Sequence, residues 1–184
     1  MKPTVDLSQY DNSWYQPGSK LKRLLWYVCN FILFKSYWFQ VSALKVFILR
    51  LFGAKVGKRV VIKPNVNIKY PWFLKIGDNT WVGEGVWLDC LTVVDIGNNV
   101  CISQGALILN GNHDYKKSTF DLIVKPIVIE DGAWIGAKCT VTQGITIGYH
   151  SVLTAGSVAS RSLEPYAIYK GVPAVKIKER QINF

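Results

Sequence analysis

An aliphatic residue returns every six positions between about residues 56 and 158, and this period constrains the fold more than any other feature of the chain. The units read VGKRVV, IKPNVN, IGDNTW, VGEGVW, LDCLTV, IGNNVC and ISQGAL, and after a break IEDGAW, IGAKCT, VTQGIT, IGYHSV and LTAGSV. Their first residue is Ile, Val or Leu, and their fifth is mostly small or β-branched. This period is too long for one strand alternation and too short for a helix pair. Each unit is therefore predicted to be one short strand followed by a turn.

Such units bury their apolar side only when successive coils stack on one another, which is the principle of a parallel β-helix. An ordinary sandwich, with strands about every 8–12 residues, does not explain the period. We predict an all-β solenoid of hexapeptide repeats over residues 56–165. An N-terminal helical segment (1–55) precedes it, an excursion loop (110–125) interrupts it, and a C-terminal tail (166–184) follows it.

Several stretches of the chain resemble one known family. The run from Pro126 to Lys176 contains PIVIEDGAWIGAKCTVTQGITIG and ends on KGVPAVK; WFLKIGDNTWVGEGVWL and NHDY lie before it. Together they resemble the left-handed β-helix acetyltransferases, in the branch of colanic acid and exopolysaccharide biosynthesis. The resemblance implies a left-handed coil, although general crossover rules favour the opposite hand. It also implies a homotrimer, with active sites between adjacent subunits, and acetyl-CoA as the acyl donor.

Charge is concentrated at the two ends of the chain. Residues 1–60 carry ten Lys and Arg against two acidic residues, residues 61–165 carry eight against nine, and the last nineteen carry four against one. A nucleic-acid-binding protein is expected to spread basic residues over its folded body, so no nucleic-acid partner is predicted. The four cysteines lack close spacings such as C-x-x-C, which favours buried thiols in a reducing compartment. The start, MKPTVDLSQYDNSW, lacks a secretory signal pattern, and we expect a cytoplasmic protein.

Residues 19–52 are rich in apolar, aromatic and basic side chains. Ser19 is a candidate cap for a first helix, and Gly53 is a candidate stop for a second. The longest apolar run, Leu24 to Phe34, is too short for a membrane span of about 20 residues. Two interpretations remain open. The helices pack on the β-helix or on neighbouring subunits, or they lie at the membrane interface as a peripheral contact on its inner face, as their Trp, Tyr, Lys and Arg content allows.

The excursion loop carries the candidate catalytic residue, His113, within NHDY. A sugar hydroxyl is a weak nucleophile at neutral pH, and an imidazole is suited to take its proton as the oxygen attacks a thioester. The family resemblance implies that His113 is this general base and that transfer is direct, without a covalent enzyme intermediate. It further implies that the backbone N–H of Ala137 stabilises the negative oxygen of the tetrahedral intermediate.

Further site residues follow from the same resemblance. The acceptor is predicted to contact Asp89, Cys90, Asn112, Tyr115 and Trp134. The coenzyme is predicted to contact Trp134, Gly136, Ala155, Gly156, Ser157, Arg161, Lys170, Gly171, Pro173 and Lys176. Relatives often have Asn in the coil before the excursion, where this chain has Asp89 and Cys90, so Asp89 either bonds a sugar hydroxyl or is a solvated turn residue. Trp134 either lies beside the coenzyme or acceptor or covers a corner of the coil.

The predicted function is acetyl-CoA-dependent O-acetylation of a saccharide hydroxyl in exopolysaccharide biosynthesis of the colanic acid kind. A lipid-linked intermediate of that assembly is one acceptor that this function allows. The β-helix also occurs in zinc carbonic anhydrases, whose metal needs three histidines. This chain has only His113 and His150, so no metal is expected. Two alternatives remain: a noncatalytic scaffold or assembly subunit, and an acetyltransferase for a small non-polysaccharide acceptor.

Overall fold

The computed structural model describes residues 3–183. Its helices are α1 (Lys20–Cys29) and α2 (Ser42–Leu51), with a π-helical turn at Asn30–Phe34 and 3-10 turns at Leu7–Gln9 and Pro71–Phe73. The strands, in chain order, are β1 (Lys55–Val56), β2 (Val61–Ile62), β3 (Asn67–Ile68), β4 (Leu74–Ile76), β5 (Trp81–Val82), β6 (Trp87–Leu88), β7 (Val94–Ile96), β8 (Cys101–Ile102), β9 (Leu107–Ile108), β10 (Gly111–His113), β11 (Leu122–Val124), β12 (Ile127–Ile129), β13 (Trp134–Ile135), β14 (Thr140–Val141), β15 (Thr146–Ile147), β16 (Val152–Leu153), β17 (Val158–Ala159), β18 (Ala167–Gly171) and β19 (Ala174–Glu179).

Successive strands fall on three sheets, so the chain winds around a three-sided prism. The first face contains β1, β4, β7, β12 and β15; the second contains β2, β5, β8, β13, β16, β18 and β19; the third contains β3, β6, β9, β14 and β17. Neighbouring strands on each face are parallel, apart from the final pair β18–β19. The predicted parallel β-helix is confirmed, and it winds left-handed, as in the solved structures that it matches.

The first residues of the repeats form columns inside the prism. On the second face, Ile62, Val82, Ile102, Ile135 and Leu153 align strand by strand, and all are completely or almost completely buried. Each repeat of six residues supplies one strand, and successive strands lie on successive faces. One aliphatic side chain per face therefore points into the core in every coil. This stacking supplies the apolar burial that one short strand lacks.

The helical segment covers the N-terminal end of the solenoid. The indole N–H of Trp26 donates to the carbonyl oxygen of Ile68 at 2.7 Å, and the Lys45 ammonium donates to the carbonyl oxygen of Lys63 at 2.9 Å. These contacts satisfy acceptors of the first coil that otherwise form an open edge. Within residues 3–183, no helix has both the length and the apolar character needed to cross a membrane.

The C-terminal segment differs from the predicted tail, because β18 and β19 add two strands to the second face. β18 pairs in parallel with β16, and β19 folds back on β18 in antiparallel register. The last coil leaves its edge open for hydrogen bonding, and the hairpin covers that edge. The residues of this hairpin lack the six-residue period, so its two strands could not be predicted from the repeat.

Candidate active site

The break in the repeat is a β-hairpin that leaves the prism between the third and first faces. It was predicted as a loop, but β10 and β11 pair in antiparallel register from Gly111 with Val124 to His113 with Leu122. Asn110 holds the base of the hairpin and is completely buried. Its side-chain oxygen accepts from the Leu91 N–H at 2.9 Å, and its amide donates to the Thr92 carbonyl at 2.7 Å. The hairpin therefore projects from a fixed point on the coil.

The imidazole of His113 has a defined orientation at the end of β10. Its Nδ1 lies 2.9 Å from the carbonyl oxygen of Phe120, and the two rings stack with centroids 4.4 Å apart. Phe120 adopts a left-handed backbone conformation, with φ of 52°, at the turn of the hairpin. Because a carbonyl only accepts, Nδ1 donates its proton to Phe120. In the neutral ring Nε2 then carries the free lone pair, which is the arrangement a general base needs.

The N-terminal segment forms one wall of a cleft at His113. The Asp6 N–H donates to the Ser118 carbonyl at 2.9 Å, the Tyr10 ring centroid lies 5.7 Å from that of His113, and the Tyr15 hydroxyl donates to the Leu91 carbonyl. The cleft has a volume of about 340 Å³, and its lining includes Tyr10, Tyr15, Arg23, Lys69, Tyr70 and His113. Sequence reasoning missed all of these residues except His113, since they lie outside the repeat pattern or on its outer surface.

Asp89 is a buried carboxylate rather than a solvated turn residue. It is 5 % exposed, and one of its oxygens lies 3.7 Å from the Lys69 ammonium. Burial raises the pKa of Asp89, while Lys69 and the backbone N–H of Gly111 oppose the rise. The adjacent Cys90 is completely buried, and burial raises the pKa of its thiol. The Cys90 side chain faces the interior, so an acceptor bound at the surface does not reach it, and the predicted contact is not made.

The other predicted acceptor residues are spread over the surface. Asn112 is exposed, and its side-chain oxygen accepts from the His113 N–H at 2.8 Å. Tyr115 is also exposed, in the turn beyond β10. Trp134 is half exposed on the second face, where its indole N–H donates to the Ser103 hydroxyl at 2.9 Å. Of these three, Asn112 and Tyr115 contact His113 directly, because the Tyr115 backbone N–H donates to the His113 carbonyl at 3.0 Å.

The predicted oxyanion donor and part of the coenzyme set gather at another edge of the prism. Ala137 lies in the turn between β13 and β14, and the Gly156 N–H of the next coil donates to its carbonyl at 2.8 Å. Within residues 3–183, the Ala137 N–H itself donates to no other group. The Gly171 N–H donates to the Ser157 hydroxyl at 3.0 Å, which ties the C-terminal hairpin to the Ala155–Ser157 turn. These groups form a small-residue surface with a free N–H donor.

The cations predicted for coenzyme phosphates are not all equally available. Arg161 and Lys170 are exposed. The Lys176 ammonium lies 2.7 Å from carboxylate oxygens of both Glu164 and Glu179, and hydrogen bonding to these carboxylates raises its pKa. Lys176 therefore needs to leave two carboxylates before it meets a phosphate.

One chain does not bring His113 and the Ala137–Gly156 surface together. The hairpin of His113 leaves between the third and first faces, whereas Ala137 and Gly156 lie between the second and third faces. Over the described residues, no group of three His, Cys, Asp or Glu side chains converges as metal ligands would. The chemistry that the chain offers is an oriented imidazole on one edge and an N–H donor on another.

The comparisons with known proteins place this arrangement in a class. Residues 126–160 match the family described as hexapeptide repeat of succinyl-transferase. WcaF of Escherichia coli K12, provisionally named a colanic acid biosynthesis acetyltransferase, is 39% identical over 166 residues, covering 90% of this chain and 91% of WcaF. The galactoside O-acetyltransferase of the same strain is 31% identical over 130 residues, covering 68% of this chain and 64% of that enzyme.

Solved structures agree with these relatives. The hexapeptide-repeat acetyltransferase VCA0836 from Vibrio cholerae superposes with a TM-score of 0.80 at 26% identity, over 89% of this chain and 93% of that one. Its complex with acetyl coenzyme A matches with a TM-score of 0.71 at 27% identity, over 77% and 79% of the two chains.

The hexapeptide-repeat coil and its acetyltransferase relatives define this chain as an enzyme of the acyltransferase class. This chain belongs to the hexapeptide-repeat acetyltransferases, and WcaF is among its relatives.

Proposed function

We propose that the protein transfers an acetyl group from acetyl-CoA to a saccharide hydroxyl in exopolysaccharide assembly. The observation that carries the proposal is the bond from His113 Nδ1 to the Phe120 carbonyl, which leaves Nε2 to accept the hydroxyl proton. WcaF and the galactoside O-acetyltransferase support a saccharide acceptor, and the VCA0836 complex supports acetyl-CoA as donor.

In this mechanism His113 Nε2 takes the proton while the hydroxyl oxygen attacks the thioester carbonyl carbon. The new carbon–oxygen bond gives a tetrahedral intermediate whose negative oxygen accepts a hydrogen bond from the Ala137 N–H. Collapse breaks the carbon–sulfur bond, and the imidazolium returns its proton to the departing thiolate. The products are the acetyl ester and free CoA, and the enzyme forms no covalent bond to either substrate.

The catalytic site is proposed to lie between two subunits of a homotrimer. His113 of one chain faces coenzyme held at the edge of its neighbour by Gly136, the Ala155–Ser157 turn and the C-terminal hairpin with Lys170. The separation of these groups on different edges of one prism supports an assembly of this kind. Sedimentation equilibrium tests it: a particle of one subunit mass with full activity would rule out a shared site.

Residues 19–52 are proposed to contact the inner surface of the membrane. Leu21, Leu25, Phe31, Trp38 and Phe47 are all more than half exposed. The chain has no acidic residue between positions 12 and 77, so the Lys and Arg side chains of this segment favour contact with an anionic lipid surface. Cosedimentation with anionic vesicles at low salt tests this contact. We expect Trp38→Ser to weaken binding more than Tyr115→Ser, and absence of binding by the unaltered protein counts against the contact.

The first experiment is calorimetric titration of the purified protein with acetyl-CoA and CoA, which needs no knowledge of the acceptor. Saturable binding is expected, and saccharides are then screened for thiol release with His113→Ala as the control. Absence of binding at millimolar coenzyme, in a folded protein, would contradict the transferase and favour a noncatalytic scaffold. Thiol release with small glycosides alone would favour a small acceptor over a polysaccharide intermediate.

A further inference from the structure

Residues 6–15 form a strap across the outside of the solenoid, beside the excursion hairpin. At one end the Asp6 N–H donates to the Ser118 carbonyl in the turn of the hairpin, at 2.9 Å. At the other end the Tyr15 hydroxyl donates to the Leu91 carbonyl of the coil. The strap therefore bridges the hairpin and the body of the prism without belonging to either.

Between these two anchors the hydrogen bonds of the strap are local. The Asp11 carboxylate accepts from the Ser13 N–H at 2.8 Å, and the Tyr15 N–H donates to the Asn12 carbonyl at 2.9 Å. Within residues 3–183, its other hydrogen bonds likewise join strap residues to one another or to Gln16. Such turns fix the shape of a segment and leave its position free. A segment with few bonds to the body opens at a low free-energy cost, so side-chain contacts decide how well it stays closed.

Tyr10 makes such a contact in the middle of the strap. Its ring centroid lies 5.7 Å from that of His113, with the two planes inclined at 58°. The Phe120 ring stacks on the same imidazole, almost parallel to it, at 4.4 Å. All three rings belong to partly buried residues. The imidazole therefore has two aromatic neighbours, one from its own hairpin and one from the strap.

The strap also controls how open the cleft is. Tyr10, Asn12 and Tyr15 are part of the lining of the cavity beside His113. Without them, the imidazole would lie on the open side of a hairpin that projects from the prism. A base that takes a proton from a sugar hydroxyl takes one from water equally well. Closing a site over the reacting groups expels water and suppresses hydrolysis of a reactive acyl donor.

We propose that Tyr10 is a positioning residue, which holds the strap against His113 and limits the access of water to the imidazole. Tyr10 takes no part in proton transfer and acts only through His113. When the strap opens, a water oxygen can attack the thioester carbonyl carbon while His113 takes its proton; the carbon–sulfur bond then breaks and gives acetate and CoA. The shielding of His113 rests on the contacts alone, whereas this consequence for acetyl-CoA rests on the proposed acetyl transfer.

The test measures how fast each histidine reacts with diethyl pyrocarbonate when no substrate is present. The chain has two histidines, so His150 is an internal reference for His113, and mass spectrometry of their peptides follows both. At about pH 8 an imidazole with a pKa near 6.5 is neutral and reactive. We expect Tyr10→Ala to raise the His113 rate about two- to tenfold, because one aromatic contact no longer holds the strap closed. The His150 rate should stay unchanged.

Matched variants of the strap separate shielding from a general loss of structure. Tyr10→Phe keeps the ring and should react like the unaltered protein. Tyr15→Phe removes only the hydroxyl anchor, and we expect it to raise the His113 rate about two- to tenfold as well. Leu7→Ala, an exposed strap position outside the cleft lining, should change nothing. An unchanged His113 rate in Tyr10→Ala, or an equal rise in Leu7→Ala, would overturn the assignment. A variant that unfolds also exposes His150, and Tyr15→Phe then carries the test.

Thiol release from acetyl-CoA in the absence of any acceptor tests the exclusion of water. We expect Tyr10→Ala to release thiol several-fold faster than the unaltered protein or Tyr10→Phe, with the affinity for CoA unchanged. Equal release by all three would contradict the exclusion of water.

The two readouts also distinguish the possible failures. A faster His113 modification in Tyr10→Ala, together with no thiol release from any protein with or without saccharides, would contradict the proposed transfer and leave the role of Tyr10 intact. Saccharide-dependent thiol release with an unchanged modification rate would do the opposite.

Discussion

The Nδ1 atom of His113 lies 2.9 Å from the carbonyl oxygen of Phe120, and the Phe120 ring stacks on the imidazole. One residue thereby sets both the tautomer and the plane of the ring. Phe120 has a left-handed backbone conformation in the hairpin turn. The hairpin must therefore fold before the Phe120 carbonyl and ring can orient the His113 imidazole. In the proposed mechanism the acceptor hydroxyl lies within reach of Nε2, and the thioester is held beside it by the neighbouring subunit.

Replacing His113 tests the general base directly. We expect His113→Ala to lower kcat by about 10²–10⁴ while the affinity for CoA stays unchanged, because the substitution removes a proton acceptor and leaves the coenzyme surface intact. Steady-state thiol release and calorimetry measure the two quantities. His150→Ala, in a turn on the other side of the coil, is the control and should retain turnover. Undiminished turnover in His113→Ala would remove this residue from the mechanism.

Lys45 makes stability depend on pH in the alkaline range. Its ammonium is completely buried, and burial lowers the pKa of Lys45 from 10.5 to about 8. Below pH 8 both the folded and unfolded chains carry the proton; between pH 8 and 10.5 the unfolded chain binds more protons, so the free energy of unfolding rises with pH. The expected rise is about 2–3 kcal/mol, measured by urea denaturation.

Lys45→Met provides the reference for that measurement, since other groups also titrate in this range. The difference between the two proteins isolates the contribution of Lys45. We expect the variant to lack the alkaline rise. A difference that stays constant from pH 8 to 10.5 would show that the buried ammonium keeps its ordinary pKa.

Gly77 tests how closely the coils stack. A Cβ atom at this position would lie 2.5 Å from the backbone carbon of Gly97 in the next coil. We expect Gly77→Ala to destabilise the fold by about 1–3 kcal/mol, because two backbones must separate. Gly156→Ala is the matched comparison: its Cβ meets nothing within 4 Å, but its φ is +72°. Its cost is conformational, about 1 kcal/mol. Urea midpoints in the reverse order would contradict close stacking as the cause.

Lys170 tests the proposed coenzyme surface. It lies in β18, beside the Gly171 N–H that bonds to Ser157. We expect Lys170→Ala to raise the KM for acetyl-CoA about tenfold, because one charged contact to phosphate is lost. Lys178→Ala, in the neighbouring strand β19, should change the KM little. Equal KM values for the two variants would remove Lys170 from the coenzyme site.

The period of the repeat made the solenoid predictable from local sequence. The first residue of each repeat points into the core because of its place in the repeat. Its burial can therefore be predicted without knowing which distant residues it contacts. The excursion was visible for the same reason, since NGNHDYKKSTF breaks the period and carries His113. The family resemblance added the hand of the coil, which spacing alone does not contain.

The cleft could not be predicted in this way. Tyr15 bonds to the Leu91 carbonyl, 76 residues away, and Arg23 lines the same cleft as Lys69 only because α1 packs over the first coils. The sequence left two interpretations of Asp89 open, a contact to a sugar hydroxyl and a solvated turn residue, whereas in the structure Asp89 is buried beside Lys69 and the Gly111 N–H. Repetition in the sequence determined the coil and the edge from which His113 projects. Only tertiary packing decided which side chains surround His113, because those contacts join segments that no local period relates.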